Sequence, residues 1–64
     1  MKYYNVIAFA MDQTVSITTI SEEAYNNLPK TESVGTAKCH RYNNLSEAES
    51  MLKYFLTQGY KQEE

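Results

Sequence analysis

The chain has 64 residues, and this length limits it to one small domain with a thin core. Eight acidic and six basic side chains give it a net charge of −2. The mild acidity excludes electrostatic attraction to a phosphate backbone as the main driving force for binding. One cysteine and one histidine exclude an internal disulfide and a structural zinc site within the chain, and we expect neither a metal nor a cofactor. Because so short a domain usually needs further support, we expect a partner subunit.

The first two predicted elements are strands. Residues 2–11 carry Tyr3, Ile7 and Phe9 on one face, and Tyr4, Val6 and two alanines on the other. Apolar side chains on both faces predict a central strand, or one whose second face is covered. Residues 14–20 alternate as a half-buried strand does, and the link 12–13 between the two runs has the length of a hairpin turn.

A short helix and a third strand come next. Ser21 can cap a helix that ends before Pro29, since the residue before a proline avoids the α region. Residues 30–33 are predicted to form a polar loop. Residues 34–42 are predicted to form the third strand, with the small Ala37 and Cys39 facing the last helix.

The last helix has the clearest pattern in the chain. Its apolar residues recur at helical spacing, as Ala48, Met51, Leu52, Phe55 and Leu56. Ser46 with Glu49, or Asn44 with Glu47, can form the capping box that begins it. Gly59 is a natural stop, and residues 61–64 are predicted to be a frayed charged tail.

These elements predict one α+β domain over residues 1–60. The expected order is β-β-α-β-α, with a three-stranded antiparallel sheet and the C-terminal amphipathic helix packed on one face. No run of apolar residues is long enough to cross a membrane, and residues 2–5 lack the features of a secretory signal. A lone unpaired cysteine suits a reducing compartment, so a cytoplasmic location without membrane contact is expected.

No catalytic constellation is predicted. Cys39 and His40 are neighbours on a predicted strand, so their side chains point to opposite faces and do not form a nucleophile and its base. The glutamates at positions 22, 23, 47 and 49 lie in the first turns of predicted helices. Negative charges there stabilise the helix through its dipole, so these residues need no acid–base role. With two glycines, the chain holds no phosphate-binding loop. We therefore expect a protein that is not an enzyme.

A binding surface is expected on the sheet face that the last helix leaves free. If the helix covers Ala8, Val15 and Ile17, the exposed aromatic and apolar patch contains Tyr3, Ile7, Phe9 and Tyr42. The opposite assignment of the first strand leaves a weaker patch of Tyr4, Val6 and the alanines. Such a patch is typical of a protein-binding surface or a dimer face.

A second candidate site is basic and aromatic. Lys38, His40, Arg41 and Tyr42 lie together around the third predicted strand, and such side chains can hold a nucleic-acid backbone and stack on bases. Three basic residues near this strand are a small footprint for that role.

Two segments also resemble a known family. The run from Gly35-Thr36-Ala37 through Lys38 to Tyr42, followed by Ser46-Glu47-Ala48, is similar to the N-terminal domain of eukaryotic-type ribonuclease H1 and of caulimovirus viroplasmin. Ser21-Glu22-Glu23-Ala24 resembles the opening of that domain's first helix. The resemblance implies the β-β-α-β-α layout and binding of RNA–DNA hybrids or double-stranded RNA.

The sequence therefore predicts a small non-enzymatic binding module. The first hypothesis is a protein-binding accessory or inhibitor protein of the phage or mobile-element type, assembled as a homo-oligomer or bound to a protein partner. The first alternative is a weak nucleic-acid-binding domain. The second alternative is an oligomer that holds a small ligand between its subunits.

Overall fold

A computed structural model describes residues 2–63 of the chain. These residues form an α+β fold with the elements β1 (Tyr3–Phe9), β2 (Thr14–Ile20), α1 (Glu22–Asn27), β3 (Thr31–Val34), β4 (Ala37–Tyr42), α2 (Leu45–Thr57) and β5 (Lys61–Gln62). Within this range no helix is both long and apolar enough to span a bilayer.

The sheet is larger than the sequence predicts. Its five strands lie in the order β3-β4-β1-β2-β5, antiparallel except for β5, which runs parallel to β2. The predicted three-stranded antiparallel sheet with the order β-β-α-β-α is therefore wrong. The additional strands are the two edges, β3 and β5, which flank the predicted strands.

The strand β3 takes in three residues of the predicted polar loop 30–33 and the first residue, Val34, of the predicted third strand. Its residues pair with β4, and a two-residue turn at Gly35 and Thr36 closes the hairpin. Gly35 has φ of 61°, which is the left-handed conformation that a type II′ turn needs at its first central residue. The predicted third strand over 34–42 is thus split, and β4 begins at Ala37.

The strand β5 corrects the prediction of a frayed tail. The Lys61 N–H donates to the Gln13 carbonyl at 2.8 Å, and the Glu63 N–H donates to the Val15 carbonyl at 2.8 Å. Residues 61–63 are therefore held against β2 by main-chain hydrogen bonds. Glu64, the last residue of the predicted tail, lies outside the described residues.

The helix α2 begins at the earlier of the two predicted caps. The Asn44 side chain accepts a hydrogen bond from the Ser46 N–H at 2.8 Å, so Asn44 is the N-cap residue. Its core-facing side chains are those of Ala48, Leu52 and Phe55, whereas Leu56 from the predicted stripe is exposed.

The C-terminal end of α2 is a Schellman motif. The Gly59 N–H donates to the Leu56 carbonyl, and the Tyr60 N–H donates to the Phe55 carbonyl. The Tyr60 ring packs on the edge of the Phe55 ring at 5.2 Å, which is the hydrophobic contact that usually accompanies this motif. Gly59 has φ of 97°, and the reversal of the chain there directs residues 61–63 along β2.

We expect Gly59→Ala to destabilise the fold by about 1–2 kcal/mol, because a Cβ disfavours a positive φ. No heavy atom lies within 4 Å of the added methyl group, so the effect is conformational and not steric. Urea titration measures it. Gln58→Ala, at an ordinary φ of −88°, is the matched control and should change the free energy of unfolding by less than about 0.5 kcal/mol. Equal effects of the two changes would contradict the assignment.

The core lies between α2 and one face of the sheet. It is formed by Val6, Ala8, Val15, Ala48, Leu52 and Phe55. The pairs Val6↔Ile17 and Ala8↔Val15 place alternate residues of β1 and β2 on this face. Val6 and Val15 are the largest side chains that are completely buried in the described chain, so the core is thin.

Candidate functional site

The face of the sheet away from α2 carries three of the predicted partner-binding residues. Since Val6 faces the core, Tyr3, Ile7 and Phe9 point the other way. The register sets Cys39 beside Ile7 and Ala37 beside Phe9 on that same face. The prediction that Ala37 and Cys39 face the last helix is therefore wrong: they pair with the β1 residues that point away from it.

Helix α1 covers one end of this face. The Tyr25 ring lies over the Tyr3 ring, with 4.6 Å between the ring centroids. Tyr3 is therefore packed against the chain's own helix. We call the remainder, formed by Ile7, Phe9, Val34 and Ala37, the open face.

The open face is an apolar strip that crosses three neighbouring strands. Ile7, Phe9 and Ala37 are half-buried, and the Val34 side chain at the edge is 60% exposed. Cys39 is buried beside Ile7 and contributes little surface. On the β2 side the strip is bordered by polar side chains, with Ser16 paired to Ile7 and Thr14 to Phe9. The strip is therefore apolar along its length, with a polar margin on the β2 side.

A partly buried ion pair lies between the open face and α1. Arg41 is only 6% exposed, and its guanidinium donates to the Pro29 carbonyl at 2.7 Å and to Glu32 Oε1 at 3.0 Å. These bonds fix the connection between α1 and β3 to the sheet. Because Glu32 and Arg41 neutralise each other, this pair adds no net charge beside the apolar strip.

Tyr42 lies on the opposite side of the sheet from the other predicted partner-binding residues. It pairs with Tyr4 on the helix side and lines a shallow hollow with Met51 and Tyr54. Burial, together with the nearby Glu47 carboxylate, raises the pKa of the Tyr42 hydroxyl. The structure therefore brings Tyr3, Ile7 and Phe9 onto one face and leaves Tyr42 on the other.

The four residues of the basic and aromatic candidate site are also divided. Lys38, His40 and Tyr42 share the helix side of β4, whereas Arg41 points to the other side. The guanidinium of Arg41 is already bound to Glu32 and to the Pro29 carbonyl. Two of the three basic side chains, Lys38 and His40, therefore share one surface with Tyr42.

His40 is placed against the core. Its ring lies 5.9 Å from the Phe55 ring, and burial, with a smaller contribution from Lys38, lowers the pKa of the imidazole below 6.5. The folded protein therefore binds the His40 proton less readily than the unfolded chain does.

We expect the free energy of unfolding to fall as the pH drops below about 6.5, because the unfolded state takes up the His40 proton first. Above that pH, imidazole is neutral in both states and adds no pH dependence. His40→Gln should flatten the stability profile between about pH 7 and the lowered pKa, whatever its effect on overall stability. Urea midpoints across this range provide the measurement, and an unchanged slope in the variant would assign the effect to other groups.

Two features of this surface were missed in the sequence. Val34 was assigned to the third strand and not to an edge of its own, and the Glu32–Arg41 pair joins residues nine positions apart through a turn. The signal that could have shown both features is Gly35-Thr36. These two residues have the length of a tight hairpin turn and separate two short segments that can form strands.

The described residues were also compared with the requirements of a metal site. In the range 2–63, no group of three His, Cys, Asp or Glu side chains is close enough to hold a metal ion. Comparison with protein-family models, with curated proteins and with solved structures found no match to the chain. The resemblance to the ribonuclease H1 domain therefore stays a prediction, and the surfaces described above are the basis for assigning a function.

Proposed function

We propose that the protein is a small non-enzymatic binding module that acts through protein–protein contact and that its open face pairs with the open face of a second copy. The observation that supports this most strongly is the strip of Ile7, Phe9, Val34 and Ala37 on the side of the sheet opposite α2. Sheets pack face to face at about 10 Å with their apolar side chains interleaved. Two copies joined in this way would bury the strip between their sheets and keep both α2 helices outside.

The charge of the open face favours a second copy over a charged partner. Its strip is apolar, and the neighbouring Glu32 and Arg41 are bound to each other. Two identical faces can therefore approach without opposing like charges. A second sheet would also thicken a core in which Val6 and Val15 are the largest completely buried side chains among the described residues.

The size of the face predicts a weak dimer. The described chain measures 31 × 25 × 17 Å, so its broad side is about as large as the roughly 800 Å² per partner of a standard interface. Part of that side is already covered by α1, as the contact between Tyr3 and Tyr25 shows. We therefore expect a dissociation constant in the micromolar range.

We expect sedimentation velocity to show monomer at low micromolar concentration and dimer at a few hundred micromolar. Val34→Glu places a charge in the interface and should weaken the dimer about tenfold or more, because it buries an unpaired charge against an apolar surface. Val34 is 60% exposed in the single chain, so this change leaves the fold intact. Leu45→Glu, at the 46% exposed first residue of α2, is the matched control. A chain that stays monomeric throughout, or a Val34→Glu dimer of unchanged affinity, would refute the proposal.

The two alternatives have less support. Nucleic-acid binding would use Lys38, His40 and Tyr42 without Arg41, which is bound to Glu32. Binding of a duplex that weakens steeply with salt would favour this alternative over self-association through the open face. A small ligand held between subunits would appear as added mass on the dimer in a native mass spectrum of protein purified from its source.

A further inference from the structure

The outer edge of β3 is an unpaired edge of the described sheet. β3 lies at the end of the sheet, with β4 on one side. The Arg41 N–H donates to the Lys30 carbonyl at 2.8 Å, which shows that the main-chain groups of Lys30 point toward β4. Since these directions alternate along an antiparallel strand, the N–H and C=O groups of Thr31 and Ser33 point outward. Both residues are exposed.

The edge lacks several devices that commonly prevent strand addition. Thr31–Val34 contains no proline or lysine, and its pairing with β4 is continuous, without a bulge. Its one charged side chain, Glu32, is turned back onto Arg41. The other edge, β5, has only two residues. Pro29 and Gly35 bound the open segment, so an added strand would pair along about four residues.

The local charge decides what fits this edge. Residues 30–42 contain Lys30, Lys38 and Arg41 against Glu32, a net charge of +2 with His neutral, although the whole chain carries −2. Two copies of the β3–β4 hairpin would bring like charges together, whereas an acidic segment is attracted. Lys38 lies beside Ser33 on the helix side of the sheet. A strand added outside β3 is about 10 Å from β4, a gap that lysine and glutamate side chains can bridge together.

We propose that the outer edge of β3 binds an extended acidic segment of a partner protein, which joins the sheet as an additional antiparallel strand. Main-chain bonds to Thr31 and Ser33 hold the segment, and acidic side chains at alternate positions reach toward Lys38. Side chains at the intervening positions lie beside Val34. This edge adjoins the open face at Val34, but the main-chain groups of Thr31 and Ser33 that hold the segment are not part of that face.

The test uses the full chain and synthetic peptides that alternate glutamate with valine. Labelled protein should show amide shifts in two-dimensional NMR concentrated at Thr31 and Ser33, and binding should weaken with salt. A peptide that alternates lysine with valine should bind at least about tenfold more weakly. Equal binding of the two peptides, shifts confined to other elements, or preference for a nucleic-acid duplex over the acidic peptide would overturn the proposal.

Two changes separate edge binding from general charge attraction. Ser33→Pro removes an outward N–H without removing a bond to β4, and should weaken binding about fivefold or more, whereas Ser33→Ala should not. Lys38→Glu should weaken binding, and Lys53→Glu on α2 should not. N-methylation of the peptide at the residues that face β3 tests the same bonds with the protein unchanged. Unaltered affinity of the N-methylated peptide would exclude strand addition.

Discussion

Phe55→Ala should remove most of the stability of the fold, with a cost of about 3–5 kcal/mol. Phe55 is 7% exposed and joins three parts of the structure, since its ring contacts the rings of His40, Tyr54 and Tyr60. A domain of this length is expected to have a total stability of roughly 3–10 kcal/mol. The variant should therefore be largely unfolded near physiological temperature, as circular dichroism and urea titration would show.

The neighbouring Leu56 provides the control for this change. It is an equally apolar helix residue, but its side chain is exposed, so Leu56→Ala should cost less than about 1 kcal/mol. The sequence pattern alone places both residues in the same apolar stripe. A larger effect at Leu56 than at Phe55 would show that α2 is rotated about its axis relative to the structure described here.

Glu32→Ala should have the second largest effect, about 2–3 kcal/mol, although Glu32 is itself 34% exposed. The cost arises at Arg41, whose buried guanidinium would keep only the Pro29 carbonyl as a partner. Its Nε atom is already buried without a hydrogen-bond partner in the described chain. Urea titration measures the loss, and Glu49→Ala on the exposed side of α2 is the control for removal of one negative charge.

A second variant distinguishes an unpaired charge from lost packing. Adding Arg41→Met to Glu32→Ala removes the buried charge and keeps most of the side-chain volume, so the double variant should recover stability relative to Glu32→Ala alone. The double variant could instead lose as much stability as Glu32→Ala and Arg41→Met lose separately, added together. The unpaired guanidinium would then not be the cause of the destabilisation by Glu32→Ala.

The pattern of the chain was sufficient for β2, α1 and α2, which carry local signals of their own. β2 matches the predicted residues 14–20, and α1 begins at the predicted Ser21 cap, which accepts a bond from the Ala24 N–H at 3.1 Å. α2 combines an apolar stripe with an N-cap, so both its helical conformation and its position in the chain could be predicted. In β2 and α2 the apolar pattern agrees with burial, and in α1 the cap alone marks the start of the helix.

The two edge strands, β3 and β5, could not be predicted from the sequence for a physical reason. Thr31, Glu32 and Ser33 form a strand because β4 supplies hydrogen bonds, and not because their side chains alternate between core and solvent. Lys61 and Gln62 pair with β2 because the Schellman turn at Gly59 directs the chain there. Neither cause leaves a periodic signal in the segment itself.

The candidate site was half predictable. The alternation of β1 grouped Tyr3, Ile7 and Phe9 on one face, which the structure shows, but it did not determine which face α2 covers. The register between β1 and β4, which sets Val6 beside His40 and Ile7 beside Cys39, determines which β4 residues share each face with β1. A shift of one residue would exchange the two faces of β4. Tyr42 was therefore grouped with residues from which the sheet separates it.

A dilution series followed by methyl NMR tests the role of the open face most directly. If the open face binds a second copy, the methyl signals of Ile7, Val34 and Ala37 should shift with protein concentration and fit one micromolar constant. The methyl signals of Val6 and Val15 in the core, and of Leu56 on α2, should stay in place. Shifts centred on α2, or none on the open face at any concentration, would contradict self-association through this surface.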